Sequence, residues 1–465
     1  MKNLFYLSRL FLVAVLLVGF TSCSDDDDGD VQMTENTIAD FVADNPNYSS
    51  LLAALQQTGL DATLDGAGSF TVFAPDNAAF DAYLGGTALA DVDNDVLTQL
   101  LLNHVIGQEL PASAISTGYI KTSAQESSTA ANIDMYIDTT SGITINGEVD
   151  VDVANANIET DNGIIHPVNA VIEIPTIVTF ATTNPALSSL VAALTDEGNT
   201  TFVGLLSDTN ADFTVFAPTN AAFDTFLDGA TLDDIDNAAL AQVLSNHVVP
   251  GAVALSTGLS NSYVNTAATF DGNADEPISL YINTDQDVTL NGYSDVVQAD
   301  IVAGNGVVHV VNAVIDLPDV TTFVVADPNF NILLDALTRE PDFTYVATLQ
   351  ASGTPAPFTV FAPNNEAFAA LLTDLQLESL ADVPAATLAA TLELHVITEA
   401  NVRSEDLPAL NDTQVTTLNG ADITIDANTP GVLDPDGGLN EIIVTDVQAA
   451  NGVIHVVSRV LRDLN

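Results

Sequence analysis

Tryptophan is absent from this 465-residue chain, and cysteine occurs once, at Cys23. No intramolecular disulfide can form in any redox compartment, and carbohydrate recognition through a stacked indole is excluded, although nine Tyr leave weaker stacking open. Basic residues are almost as scarce: 7 Lys plus Arg face 63 Asp plus Glu, a formal net charge of −56. Phosphate binding needs clustered Lys and Arg, so nucleic acid is not an expected partner. The chain also lacks a G-x-S-x-G elbow, a Gly-rich phosphate loop, H-x-H and H-E-x-x-H, which leaves nucleophilic and metal-assisted hydrolysis without a motif. What is present is a 47% hydrophobic fraction, its Val, Ile, Leu, Ala and Phe interleaved with the acids. That interleaving argues against disorder, and the length suits about three domains. Excess carboxylate makes a compact chain repel itself, so screening by salt or bound cations is expected.

Residues 1–22 read as an export signal and not as part of the fold. Lys2 and Arg9 precede an apolar run from Leu10 to Phe20, followed by Thr21, Ser22 and Cys23. The run is too short for a spanning helix. The stretch resembles a bacterial lipoprotein signal, with Phe20 where Leu is usual; the resemblance implies cleavage before Cys23 and lipid attachment to it. Ser24, Asp25, Asp26, Asp27 and Asp28 follow, within a tether of residues 23–31. Such a charge run is solvated, and it is similar to the acidic tag that sends some lipoproteins to the outer face of the outer membrane. A lipid-anchored, surface-exposed protein is the expectation. Loss of Lys2 and Arg9 with the signal would leave 5 basic against 63 acidic residues, or −58.

The remainder is one unit repeated three times. Phe70-Thr71-Val72-Phe73-Ala74-Pro75-Asp76-Asn77-Ala78-Ala79-Phe80 returns at Phe213 to Phe223 and at Phe358 to Phe368, with Pro75, Pro218 and Pro363 spaced by 143 and 145 residues. Asn162-Gly163-Ile164-Ile165-His166 returns at Asn305 to His309 and at Asn451 to His455. Each copy opens on a helix-like stretch (Ile38 to Leu55, Ile177 to Leu194, Val320 to Leu337) with Asn45-Pro46, Asn184-Pro185 or Asp327-Pro328 inside it. In the second copy Phe213 to Phe216 reads as a strand that Pro218 ends, and Thr219 offers an N-cap oxygen to the helix beyond; Asp76 and Asn364 hold that place elsewhere. Leu240 to Val248 has helical spacing. Ile278 to Ile282, Val288 to Leu290 and Val307 to Ile315 read as strands. Asn291-Gly292 and Asn305-Gly306 are expected as hairpin turns with positive φ at both residues. Helices with clustered strands give an α+β fold.

The F-T-V-F-A-P-x-N-x-A-F and N-G-[VI]-[VI]-H segments resemble the two hallmark motifs of the fasciclin domain family, and the resemblance covers the chain after the tether. It implies three tandem β-wedge domains of about seven strands with helices, at 32–175, 176–318 and 319–465. Where the family usually has Tyr-His, this chain has Asn103-His104, Asn246-His247 and Leu394-His395, and Pro167 stands where the other copies have Val310 and Val456. Ile174-Pro175 and Leu317-Pro318 leave almost no flexible residue between copies, so a semi-rigid rod is expected.

Candidate chemistry rests on the six histidines, His104 with His166, His247 with His309 and His395 with His455, separated by 62, 62 and 60 residues. A pair brought together could hold a metal or move a proton. The absence of further ligands at short spacing and the apolar runs around each ring favour satisfied core histidines. The structural motif is thus expected to be Pro75, Asn77, His104 and His166 with their counterparts Pro218, Asn220, His247 and His309, and Pro363, Asn365, His395 and His455. Asp91-x-Asp93-x-Asp95 starts like a calcium loop, but Val96 and Leu102 stand where Gly and Glu are required. Weak divalent-cation binding by surface carboxylates stays open, no cofactor is expected, and Asp434 and Asp436 read as a turn. The family resemblance and the missing catalytic motifs imply a non-catalytic protein that contacts extracellular matrix, a glycan or a cell-surface protein. The alternative is a binding module for a glycan or small apolar ligand serving a separate uptake system.

Overall fold

The computed structural model describes residues 36–195 and 200–463. The expected export signal (residues 1–22), Cys23 and the run Ser24 to Asp28 lie outside the described residues. The second unit shows the architecture most completely. Helices α1 (Ile177–Thr183), α2 (Ser188–Thr195) and α3 (Thr200–Leu206) lead into strand β1 (Phe213–Pro218), then α4 (Asn220–Leu227), α5 (Asn237–Ser245) and β2 (Val248–Pro250). Strands β3 (Ser262–Thr269), β4 (Pro277–Asn283), β5 (Thr289–Leu290), β6 (Ser294–Ala303) and β7 (Gly306–Val311) follow. They form one seven-stranded sheet in the order β2-β1-β7-β6-β5-β4-β3, and the third unit repeats it. The helical opening is not continuous. Asn184-Pro185 breaks it and bends the two segments by 95°, because proline cannot donate to the preceding turn and pushes its neighbour out of helical backbone.

Both repeated motifs lie in the middle of the sheet. β1 and β7 run parallel with Phe213 opposite Gly306 and Phe216 opposite His309. Phe213 and Phe216 are fully buried, as are Phe358 and Phe361 of the third unit. Asp76, Thr219 and Asn364 each accept the backbone N–H three residues on and so cap the helix after the motif strand, as the sequence suggests. Gly306 sits at φ 151°, and a Cβ there would collide with the Phe213 carbonyl oxygen, so the parallel approach requires glycine.

Two expectations need correction. Asn291 and Gly292 have φ 48° and 75° and make the predicted turn, but Ala303 pairs with Gly306. The second turn is therefore Gly304-Asn305, and only Gly306 has positive φ. The last strand stops at Val311 instead of running to Ile315.

The first unit departs from the other two. Its strands form two four-stranded sheets, because the counterpart of β6 is broken into Val149–Asp150 and Ile158–Thr160. Pro167 supplies the reason. In the other units Val310 and Val456 pair with that long strand, whereas proline has no N–H to give to the ladder. The bridge Val151 to Val168, the bond from Asp152 N to Pro167 O (2.9 Å) and an exchange between Asp150 and Asn169 (Asn169 N to Asp150 O 3.1 Å, Asp150 N to Asn169 Oδ1 2.8 Å) join the pieces there in place of a continuous ladder.

Candidate functional site

The two histidines of each unit lie on either side of the motif strand and use different partners. His104, His247 and His395 end the helix before the short second strand. Each Nδ1 lies 2.7–2.8 Å from the carbonyl four residues earlier, of Leu100, Val243 and Thr391. A carbonyl only accepts, so Nδ1 carries the proton. Nε2 then accepts from the backbone N–H of Ile172, Ile315 and Leu461 at 2.8–2.9 Å. Burial lowers the pKa of all three from 6.5 to about 4, and a protonated ring would set its new N–H against a backbone N–H.

His166, His309 and His455 take the opposite tautomer. Nε2 donates to the carbonyls of Leu110, Ala254 and Val402 at 2.8–2.9 Å. Nδ1 accepts from the N–H of Asn157, Asp300 and Asp446 at 3.3–3.4 Å. Each ring packs on the motif phenylalanine (Phe73, Phe216, Phe361) with centroids 5.6–5.8 Å apart, and burial lowers its pKa. All twelve ring nitrogens are thus occupied by main chain. No lone pair is left to bind a metal, and among the described residues no group of three or more His, Cys, Asp or Glu could hold one.

The motif asparagines fasten the helical break. Asn77, Asn220 and Asn365 donate from Nδ2 to the carbonyls of Pro46, Pro185 and Pro328 (2.9 Å each). Their Oδ1 atoms accept from the N–H of Ser50, Ser189 and Ile332 at 2.9–3.0 Å. Pro75, Pro218 and Pro363 close the motif strand. In place of the tyrosine usual before the first histidine, Asn103 and Asn246 donate to the carbonyls of residues 172–173 and 315–316. The polar handle is retained there by another side chain, while Leu394 is simply buried.

Asn162, Asn305 and Asn451 open the second repeated motif, and of them only Asn305 is expected from the sequence in a turn. All three are buried staples. Asn305 accepts from Ile177 N (3.0 Å) and donates to the carbonyls of Leu206 and Asp208 (2.8 and 3.1 Å). Asn162 and Asn451 make the same three bonds in their units. Each ties the last hairpin to the first and third helices. Asp93 is likewise a helix cap, accepting from Asp95 N and Val96 N, and Asp434 closes a turn by accepting from Gly438 N at 2.7 Å.

The junctions between units repeat as well. Tyr119 and Tyr136 face each other across a ladder rung of unit one. Tyr119 packs edge-on against Phe180 of unit two, centroids 5.3 Å apart, and its hydroxyl accepts from Asn184 at 3.1 Å. Tyr263 and Tyr281 form the same rung in unit two. Tyr263 packs on Phe323 at 5.5 Å and donates to Asp327 at 2.9 Å, and Tyr281 donates to the same carboxylate; burial first and that carboxylate second raise the pKa of both phenols. Two rungs away Asp134 accepts from Val302 N (2.7 Å) and Lys121 (2.5 Å), and the Ser279 hydroxyl accepts from Gln448 N at 3.0 Å. The junction carbonyls of Pro175 and Pro318 accept from Gly304 N and Ala450 N of the following unit. These contacts give the short linkers a physical lock. The corresponding rung of unit three carries Gln414 and Thr424.

The fasciclin domain family matches residues 46–175, 185–318 and 328–463. The chain is 26% identical over 438 residues to transforming growth factor-beta-induced protein ig-h3 of Sus scrofa, covering 93% of this chain and 58% of that protein. It is 27% identical over 318 residues to periostin of Homo sapiens, covering 66% of this chain and 34% of periostin, and 32% identical over 142 residues to protein sll1483 of Synechocystis, covering 29% and 72%. The chain thus spans little more than half the length of the ig-h3 protein. A solved FAS1 domain pair from the insect cell adhesion molecule fasciclin I is similar at a TM-score of 0.41 and 19% identity, over 60% of this chain and 97% of that one. With both motifs in the centre of three sheets and three matches along the chain, this protein belongs to the fasciclin domain family.

Proposed function

We propose that this protein is a non-catalytic adhesion or matrix-contact protein, held at the cell surface by lipid on Cys23 and acting through its three fasciclin units together. The observation that carries the reading is the pair of locked junctions, each built from a tyrosine rung and main-chain bonds. Units held in fixed relation offer the same face several times, and a second contact then forms at high effective concentration. The histidines, the best candidates for chemistry, are fully committed to backbone. The acidic run Ser24 to Asp28 supports display on the outer face of the outer membrane, and matrix components, glycans or cell-surface proteins are the expected partners. Weak divalent cations would bridge carboxylates of this chain and of an anionic surface.

A second reading, glycan binding for a separate uptake system, is favoured by a cleft of about 860 Å³ between units one and two, lined in part by Tyr83, Glu148, Glu173, Thr179 and Thr182. Bead retention under flow separates the two. Beads coated with residues 32–175, 32–318 or 32–465 are passed over matrix-coated and glycan-coated surfaces at several salt concentrations. Adhesion predicts retention that rises with unit number and from low to moderate ionic strength. Equal retention of all three, or none above bare beads, removes the adhesion reading.

A further inference from the structure

The second unit contains an apolar cavity of about 80 Å³ between α1, α2 and the motif strand. The same place in the third unit encloses only about 20 Å³. The sequence accounts for the difference. Ala181 stands where the other units have Val42 and Val324, Leu187 where they have Tyr48 and Phe330, and Val191 where they have Leu52 and Leu334. All three changes remove side-chain volume. Relative to unit three, two carbons are missing at position 181, three at 187 and one at 191. Six carbons is the content of one benzene ring.

The walls offer nothing polar to a guest. Thr182 and Thr195, at the exposed rim, turn their hydroxyls back onto the carbonyls of Val178 and Val191 (2.9 and 2.8 Å). His247 reaches the cavity, but both of its nitrogens are bonded elsewhere. Water needs roughly 10–15 Å³ and two to four polar partners, so a space of this size without partners stays dry and favours an apolar occupant. We infer that unit two binds a small wholly apolar ligand, an aromatic ring or branched alkyl group of about six carbons, that enters between α1 and α2. Surface contact by the array does not depend on this site.

The test is differential scanning calorimetry of the full chain with benzene as probe, beside the variant A181V/L187F/V191L, which restores the carbon content of unit three. At about ten times its dissociation constant, benzene is expected to raise one unfolding transition of the unaltered protein by about 3–6 °C. The variant should show no benzene shift and, without benzene, a transition at least as high as the parent. An absent shift in the parent, or an equal shift in the variant, overturns the proposal. A variant that melts lower without benzene also overturns it, because the space was then not empty. Bead retention of the variant should equal that of the parent, which keeps failure here distinct from failure of the adhesion reading.

Discussion

Lowering the pH should unfold the units through three imidazoles before most carboxylates protonate. His104, His247 and His395 are fully buried, with pKa values near 4 against 6.5 for a free ring. A histidine held neutral in the fold binds fewer protons than it does unfolded. Its contribution is therefore complete above pH 6.5 and is lost as the pH falls toward 4. At pH 5 the difference between 6.5 and about 4 comes to roughly 2 kcal/mol for each ring, or about 6 kcal/mol over three. Carboxylate repulsion acts in the opposite direction, since acid relieves it, so the measurement belongs in high salt, where that term is screened. Urea unfolding of the full chain should show midpoints falling from pH 7 to pH 5. In parallel, nitrogen NMR of the rings should find His104, His247 and His395 neutral with the proton on Nδ1 at pH 5, while at pH 7 His166, His309 and His455 should carry it on Nε2. Unchanged midpoints at high salt, or any ring of the first set titrating near 6.5, would refute the argument.

Replacing Cys23 with Ala should release the protein from the membrane fraction, since acyl chains are the proposed anchor; a parent chain that takes up no labelled palmitate would remove that proposal. The double change Y263A/Y281A should free units two and three from each other, leaving Asp327 without its phenols, at a combined cost of about 3–6 kcal/mol. Small-angle scattering should then show a broader distribution of distances, and an unchanged profile would mean that the remaining bonds suffice.

The sequence was informative where a feature is local. A Thr, Asp or Asn before a helix and two recurring motifs are written within a few residues and have the expected structural result, whereas the helix-like openings are broken at their Asn-Pro or Asp-Pro pairs. Pro167 was also visible as a departure, and its consequence is the broken strand of unit one. What stayed hidden depends on distant main chain. The partners of Asn305 lie 128, 99 and 97 residues away, and nothing beside an Asn-Gly pair announces a buried staple. The expectation of a two-residue turn at Asn305-Gly306 failed for that reason, because Asn305 is held by its side chain and Gly306 by the approach of Phe213. The junction tyrosines were equally silent, since Tyr263 meets Tyr281 across a strand pair and both meet Asp327 of another unit.

The two junctions are heterologous contacts: a tyrosine rung on one unit meets a helix end on the next, and the two surfaces differ. Contacts of that kind pass from copy to copy wherever the donor surface is present, and between molecules they build fibres. Unit three presents Gln414 and Thr424 at that rung, neither of which can bury an aromatic face against Phe41 and Asn45 of a second molecule. The substitution thus takes the donor surface away from unit three: the contact that joins unit one to two and two to three has no aromatic rung there through which to pass to another molecule.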